Sequence, residues 1–543
     1  MSNIKRNSTN PFAKLLSVAL LFSVLPLHVG ASKALPQMAD TIITNGRILD
    51  GTGNSWFWGD IAIRDGKIIK IGKLGEMRAT RTIDAKKQIV APGFIDVHAH
   101  IEMGLFATPT ADNFIYDGVT TVITGNCGGS ATNLPEFFAR IDKDKTSINV
   151  ASLVGHNTVR RAVLDLANRA ATAAEQQKME GLVEAAMRDG AVGLSTGLIY
   201  LPGTYSNTDE VIGLARTAAK YGGLYASHIR NEGNKVSEAI NEALTIGREA
   251  KLPVQISHFK VGAPANWGRS TETLGLIEAA RREGLDVTID QYPYTASSTN
   301  LGVMLPDWAG ADGPAATKAR ILAPDTKAKI VEEMLTSMRT AKRPDFSYAV
   351  VARHDANPTL NGQNIAQINV ARSRTPTAEN EIETMLEIIL AGGAQMVYHT
   401  MNEEDVKAIM RYPFNMIGAD GGVQDGKGMP HPRSYGTNAR VLGKYVREEK
   451  VIRLEDAVRR MTSLAAQKFQ LKDRGQLREG FAADIVIFDD TTVIDKATFA
   501  NPHQFSNGFD HVLVNGVATI TDGKHTNAKA GQALRGPAWI GSK

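Results

Sequence analysis

The residues best equipped for chemistry in this chain are four histidines, one cysteine and one aspartate, each standing where a short apolar run ends. His98 and His100 close the run IVAPGFIDV as His-Ala-His. A spacing of two puts both side chains on one face of an extended strand, where two imidazoles can reach one metal. Cys127 is the only cysteine and sits in Gly125-Asn126-Cys127-Gly128-Gly129. A lone cysteine is often just a small buried apolar residue. Flanked by glycines at the end of a strand, it reads instead as a thiolate donor able to bridge two ions. Ser227-His228 and Ser257-His258 repeat one dipeptide thirty residues apart. Asp420 lies in Ile417-Gly418-Ala419-Asp420-Gly421-Gly422. A carboxylate there can hold a metal with one oxygen and accept a proton with the other. The six donors suffice for one or two zinc ions and for metal-assisted hydrolysis.

Such donors need elements that deliver them to one place. Strands are predicted at 89–98, 120–124, 148–154, 191–196, 223–228, 253–258, 285–292 and 414–419. Helical stretches such as 173–189, 208–221, 235–250 and 273–283 separate most of them. Eight strands alternating with helices predict an α/β fold, a (β/α)8 TIM barrel, whose chemistry sits at the C-terminal ends of its strands. The connection after the seventh strand, about 295–400, is too long for a plain loop and reads as an inserted lid subdomain over the barrel mouth. The two ends of the chain are different. Short strands punctuated by Asp50-Gly51, Asp65-Gly66 and Asn515-Gly516 fill 40–90 and 471–535, and are expected to pair into one small β-sandwich domain. The barrel with its insertion is then 91–470.

Composition narrows the function classes. Of 543 residues, 43% are hydrophobic and 22% charged, which excludes wholesale disorder. A net charge of +4 without a Lys/Arg run gives no nucleic-acid footprint. One cysteine excludes an intramolecular disulfide. Lys5, Arg6 and Lys14 precede the apolar run Leu15–Val29, and small residues follow in Gly30-Ala31-Ser32. The run is shorter than the ~20 apolar residues a bilayer span needs, so residues 1–34 read as a secretory signal. Cleavage is expected between 32 and 40, giving an exported, periplasmic or extracellular protein with no stable membrane insertion.

The donor order resembles that of the amidohydrolase superfamily, and within it the D-aminoacylases, or N-acyl-D-amino-acid deacylases. The residues that carry the likeness are PGFIDVHAH at 92–100, GNCGGS at 125–130, STGLIYLPG at 195–203, ASHIRNE at 226–232, ISHFK at 256–260, DQYPYTASST at 290–299 and IGADGG…MPHPRSYGT over 417–437. Many members of the superfamily place a metal-bridging lysine on strand four. AVGLSTGLIY has none, and Cys127 matches the cysteine these deacylases use instead. The family motif often carries an aromatic after this cysteine, where this chain has Gly129. The resemblance implies a tight zinc held by Cys127, His228 and His258, and a weaker second position at His98 and His100 shared with Cys127 and Asp420.

It also implies hydrolysis of N-acyl-D-amino acids, small-molecule substrates, with Asp420 as the catalytic acid–base group. Lys260 and Arg433 match positions that hold the substrate carboxylate, and Tyr200, Tyr292 and Ser298 match further binding positions. Selectivity for the D-form follows from the resemblance alone. His156, His399 and His431 lie near strand ends, with structural hydrogen bonding as their default role, and His354 falls inside the insertion. Two rival readings are a cyclic amidase or dipeptidase of the same superfamily, and a binding protein on a barrel without activity. The missing strand-four lysine speaks against the first, and the full donor set against the second.

Overall fold

The computed structural model describes residues 38–541, so the leader read at 1–34 lies outside them. Eight parallel strands form the barrel. Phe94–Asp96, Val119–Thr124 and Asn149–Ser152 make one parallel sheet. Val154–Gly155, Gly193–Gly197, Leu224–His228, Val254–Ile256, Val287–Gln291 and Asn415–Ile417 make a second. Asn149–Ser152 and Val154–Gly155 are two pieces of one strand and join the sheets. The circle closes between the first and last strands, where Ala99 bridges Gly421 and the Asp420 amide donates to the His98 carbonyl at 2.7 Å. The strands are buried on both faces, as their nearly unbroken apolar composition requires. Helices follow with the expected signals. The helix Ala173–Arg188, for instance, begins at a reciprocal Thr172–Glu175 capping box.

One predicted strand, 89–98, is two. Ile89–Pro92 pairs antiparallel with Ile485–Phe488, whereas Phe94–Asp96 belongs to the barrel. The break falls at Gly93, where a Cβ would stand 2.3 Å from Thr120. Apolar character continues across this position, but the backbone must turn at close contact from one sheet to the other.

The strands of both chain ends form one nine-stranded sheet, in which Met38–Ile48 forks to pair with Phe57–Arg64, Arg78–Asp84 and Ile89–Pro92. The sheet folds over its own core. Ile43, Ile61, Ile68 and Ile83 from the first end meet Ile485, Ile487 and Leu513 from the last. The alternate residues Val486, Phe488, Val512 and Val514 turn the other way into the barrel's core, as the two-residue period of a strand demands. Phe94 of the barrel meets Phe488 and Phe509 edge-on, with ring centroids 6.2 and 6.0 Å away. Asp65-Gly66 and Asn515-Gly516 are both tight hairpin turns with positive φ at each residue, and they touch: the Gly66 Cα lies 2.9 Å from where a Gly516 Cβ would stand.

The insertion is zipped at its root by Ser297–Asn300 against Gln395–Tyr398, and Ala349–Arg353 adds a third antiparallel strand. It has a core of its own built from Ile330, Met334, Ile365, Ile382 and Met385. No helix among the described residues is long and apolar enough to cross a membrane.

Asp484 ties the two layers together. Buried with Arg474 as its ion-pair partner, it also accepts from Asn149 of the third barrel strand at 3.1 Å and from the Asn515 amide at 2.7 Å. Replacing Asp484 with alanine leaves the guanidinium with only the exposed Asp473 at 3.6 Å and is expected to lower unfolding free energy by about 3–5 kcal/mol in urea denaturation. A loss below about 1 kcal/mol would remove this pair as the tie between layers.

Candidate metal centre

The barrel brings all six sequence-predicted donors together. The Cys127 Sγ lies 3.2 Å from His98 Nε2, 3.5 Å from His228 Nδ1 and 3.4 Å from His258 Nε2. His228 Nδ1 and His258 Nε2 are 2.7 Å apart. Asp420 Oδ1 is 3.1 Å from His100 Nε2 and 3.6 Å from His98 Nε2. The donors fall into two groups that share the sulfur, Cys127–His228–His258 and His98–His100–Cys127–Asp420, with ligand atoms within 4.8 Å of one another in each.

This convergence needs unusual backbone. Cys127, His258 and Asp420 have φ of 51°, 36° and 50°, the left-handed region that L side chains seldom enter. Each sits two or three residues past a strand, where the chain must double back to aim a side chain over the barrel axis. Neighbours hold these turns. The Asp290 carboxylate accepts the His258 amide at 2.8 Å, and the Asp420 amide is spent on the His98 carbonyl. For the cysteine loop, strand four supplies the clamp: Ser195 Oγ accepts the Gly128 amide at 3.1 Å and donates to the Gly125 carbonyl. Gly128 admits no side chain, since its Cβ would lie 2.0 Å from Asn157 Oδ1.

The electrostatics suit a cation. Burial pushes the Cys127 thiol well above its ordinary value, and the nearby Asp420 charge adds to this. Burial pushes the His228 imidazole well down, leaving it neutral with a lone pair to offer. Burial alone would raise the Asp420 carboxyl. Arg433, His98 and His100 outweigh it and hold the group well below the usual carboxylate range. One sulfur, imidazole nitrogens and one carboxylate, buried and converging, fit a borderline-soft divalent ion such as zinc, and fit magnesium or calcium poorly. Among the described residues His228 Nε2 makes no hydrogen bond, and the nearest carboxylate oxygen to it, Glu232 Oε1, is 3.8 Å away.

Three carboxylates that spacing did not single out complete the centre. Asp290 Oδ1 lies 3.3 Å from His98 Nδ1, while its Oδ2 accepts from Gln255 at 2.6 Å. Asp96, pushed up to about 8 by burial, accepts the amides of His98 at 2.9 Å and Ala419 at 3.0 Å. Glu232 lies 3.1 Å from His258 Nδ1 and pairs with Lys260. Their one sequence signal was a charged residue embedded in an apolar strand or beside a donor histidine, as in VTIDQY.

The donors open into a cavity of about 670 Å³ lined by His100, Cys127 and Asp420, together with Tyr200, Ser298 and Arg433 among the predicted binding residues. Arg433 is buried, pairs with Asp420 Oδ2 at 3.0 Å and donates to the Ser298 carbonyl at 3.2 Å. The Tyr200 ring meets His228 edge-on at 4.7 Å. Lys260 and Tyr292 lie against a small enclosed space beside His258, off the main cavity. The Lys260 ammonium is engaged by Glu232 and by His258 Nδ1 at 2.8 Å, and the Tyr292 ring lies under both Lys260 and Arg433. Ser298 Oγ donates to the Met396 carbonyl at 2.7 Å. His431 lines the cavity and bonds the Ala296 carbonyl at 2.9 Å, whereas His156 is buried against Glu210 at 2.9 Å. His399 packs on Phe499, and His354 bonds the Gly393 carbonyl at 2.8 Å.

Comparison with known proteins gives the same frame. The model of the amidohydrolase family matches residues 81–520, and that of the urease alpha-subunit N-terminal domain matches 27–93. An N-acyl-D-glutamate deacylase of Alcaligenes xylosoxydans xylosoxydans is 36% identical over 93% of this chain and 98% of its own. A D-aminoacylase of the same organism is 34% identical over 93% and 99%. The crystal structure of an N-acyl-D-glutamate deacylase from Bordetella bronchiseptica, complexed with zinc and a phosphonate inhibitor, superposes with TM-score 0.79 at 37% identity, covering 92% of this chain and 100% of that one.

The shared sulfur makes a distinct prediction. Cys127→Ser is expected to lose metal from both positions, whereas His100→Asn keeps the metal of the Cys127–His228–His258 group. Metal analysis after dialysis reads the difference. Equal zinc in Cys127→Ser and the parent would take the sulfur out of the centre.

Proposed function

This chain belongs to the amidohydrolase family, and we propose that it hydrolyses the amide bond of N-acyl-D-amino acids to a carboxylate and a free D-amino acid, using zinc. The observation that carries the reading is one cavity onto which Cys127, the sulfur shared by both donor groups, opens beside a buried Asp420–Arg433 pair. Cys127, His228 and His258 would hold the tight ion, and His98, His100, Cys127 and Asp420 a second. Zinc so bound supplies Lewis acidity toward the carbonyl oxygen and lowers the pKa of water to about 7.

The remaining work falls to the chain's own residues. Asp420 takes a proton from the attacking water on one carboxylate oxygen. It returns that proton to the amide nitrogen as the C–N bond breaks, so one group serves as base and then acid. The planar guanidinium of Arg433 suits a substrate carboxylate in two-pronged contact, with Ser298 beside it and Tyr200 edge-on to His228. Lys260, engaged with Glu232, supports His258 and the positive potential behind it. Strand four carries no lysine, and its Ser195 clamps the cysteine loop instead. Export belongs to the same proposal and rests on Lys5, Arg6 and the apolar run 15–29. N-terminal sequencing of the secreted protein is expected to begin between 32 and 40.

Acetate release from paired N-acetyl-D- and N-acetyl-L-amino acids tests the substrate class. Turnover of the D-series is expected, and equal or better turnover of the L-series overturns it. Asp420→Asn is expected to keep the tight zinc and lose roughly 10²–10⁴ in kcat. Parent-like turnover in that variant refutes its role. Arg433→Met is expected to penalise an acyl amino acid about tenfold more in kcat/KM than the matching amide without a carboxylate, a difference of about 1.4 kcal/mol. Equal penalties would leave Arg433 with no carboxylate to bind.

A further inference from the structure

A second and larger cavity, of about 990 Å³, adjoins the metal-centre cavity. Tyr200, Asn300, Arg353 and Gln395 line both, so these four residues form the partition between them. Beyond the partition one stretch of the wall is apolar: Leu201 from the barrel loop after strand four and Leu301, Val303, Leu305, Ile321 and Leu390 of the insertion line the same space. Leu201, Val303 and Leu390 are only half-buried, so apolar surface that the fold could have covered is left open to this space. Polar residues line it as well, among them Asp307, Thr317 and the exposed Lys318, and two of them are tied down. Arg353 is held by Asp355 at 2.7 Å and Asp425 at 3.3 Å, and His354 bonds the Gly393 carbonyl.

A cleaved acetyl group needs almost none of that volume, since cavities of about 300–1,000 Å³ enclose drug-sized molecules. The orientation of a linear substrate says which end enters. Arg433 lines only the metal-centre cavity, beside Asp420, whereas Tyr200, edge-on to His228, lines both. With the carboxylate at Arg433 and the carbonyl over the donors, the acyl end points toward Tyr200 and the partition. We propose that the second cavity receives the acyl tail, and that the substrates include N-acyl-D-amino acids bearing a long aliphatic chain, amphiphiles rather than acetyl derivatives alone. This rests on the deacylase reading above and adds the acyl class to it. It also gives the insertion a task, since five of the six wall residues belong to it.

A length series from N-acetyl- to N-dodecanoyl-D-alanine tests the proposal. kcat/KM is expected to rise about two- to fourfold per added methylene until the cavity is filled. The upper figure is complete transfer of a methylene from water, about 0.8 kcal/mol. Val303→Trp, which fills the space, and Leu390→Asp, which wets it, are expected to remove the gain while acetyl turnover stays at the parental level. A parallel series lengthens the side chain of N-acetyl-D-amino acids at constant acyl group. A gain confined to that series and abolished by Val303→Trp would assign the cavity to the side chain and overturn the acyl proposal. Calorimetric titration of the zinc-loaded enzyme with decanoate separates this question from turnover, with weaker binding expected in Val303→Trp. If no acyl-D-alanine is cleaved but decanoate binding depends on Val303, the deacylase reading falls and the tail site stands. A flat acyl series with decanoate binding equally to parent and variant overturns the tail site.

Discussion

One sulfur atom organises this molecule. Cys127 Sγ stands within 3.5 Å of ring nitrogens from the first, fifth and sixth barrel strands, and it belongs to both groups of donors. Without a cation the site works against itself. Burial keeps the thiol protonated, and the imidazoles of His98 and His228, which burial pushes toward neutrality, and the Asp420 carboxylate lie close to it. With a cation each of those groups offers a lone pair or a negative charge to the same point. The donor set is thus built to be completed by a cation, whose binding couples to the stability of the site.

The surrounding fold can be understood as what it takes to hold donors in that conflict. Three of the six occupy left-handed backbone, which costs of order 1–3 kcal/mol apiece and persists only where neighbours over-determine the turn. Asp290, Asp96, Ser195 and the closing contact between Asp420 and His98 provide that determination through backbone hydrogen bonds. Glu232 and Lys260 add a charge pair behind His258, so the ring is fixed from its far nitrogen. The barrel contributes rigid strand ends, and the insertion contributes the wall that faces them.

The barrel and its six donors were legible in the sequence for a physical reason. Strands buried on both faces must be apolar, so a polar residue at the end of such a run announces the rim. The same reasoning misread residues 89–98 as one strand. Apolar continuity reports burial, not which sheet does the burying, and the kink at Gly93 is imposed by Thr120, far along the chain. Asp290 and Glu232 stayed hidden because they act on a histidine's second nitrogen or backbone amide, a task with no characteristic spacing. The engagement of Lys260 with Glu232 joins groups on different strand ends, and that of Arg433 with Asp420 spans the long loop after the eighth strand, so both need the folded barrel to be seen. The two contacting hairpin turns were each plain as Asp-Gly and Asn-Gly, but their contact was not.

The sheet made from both ends has a bearing on the order in which the chain can mature. Ile89–Pro92, which leads through Gly93 straight into the strand bearing His98 and His100, finds its antiparallel neighbour only in Ile485–Phe488. On a ribosome working from the first residue onward, that edge stays unpaired until nearly all of the barrel has been synthesised. Met38–Ile48 and Val119–Thr124 can hold this stretch early, but its other edge closes late, and a nascent or truncated chain carries an open β edge next to its most reactive residues.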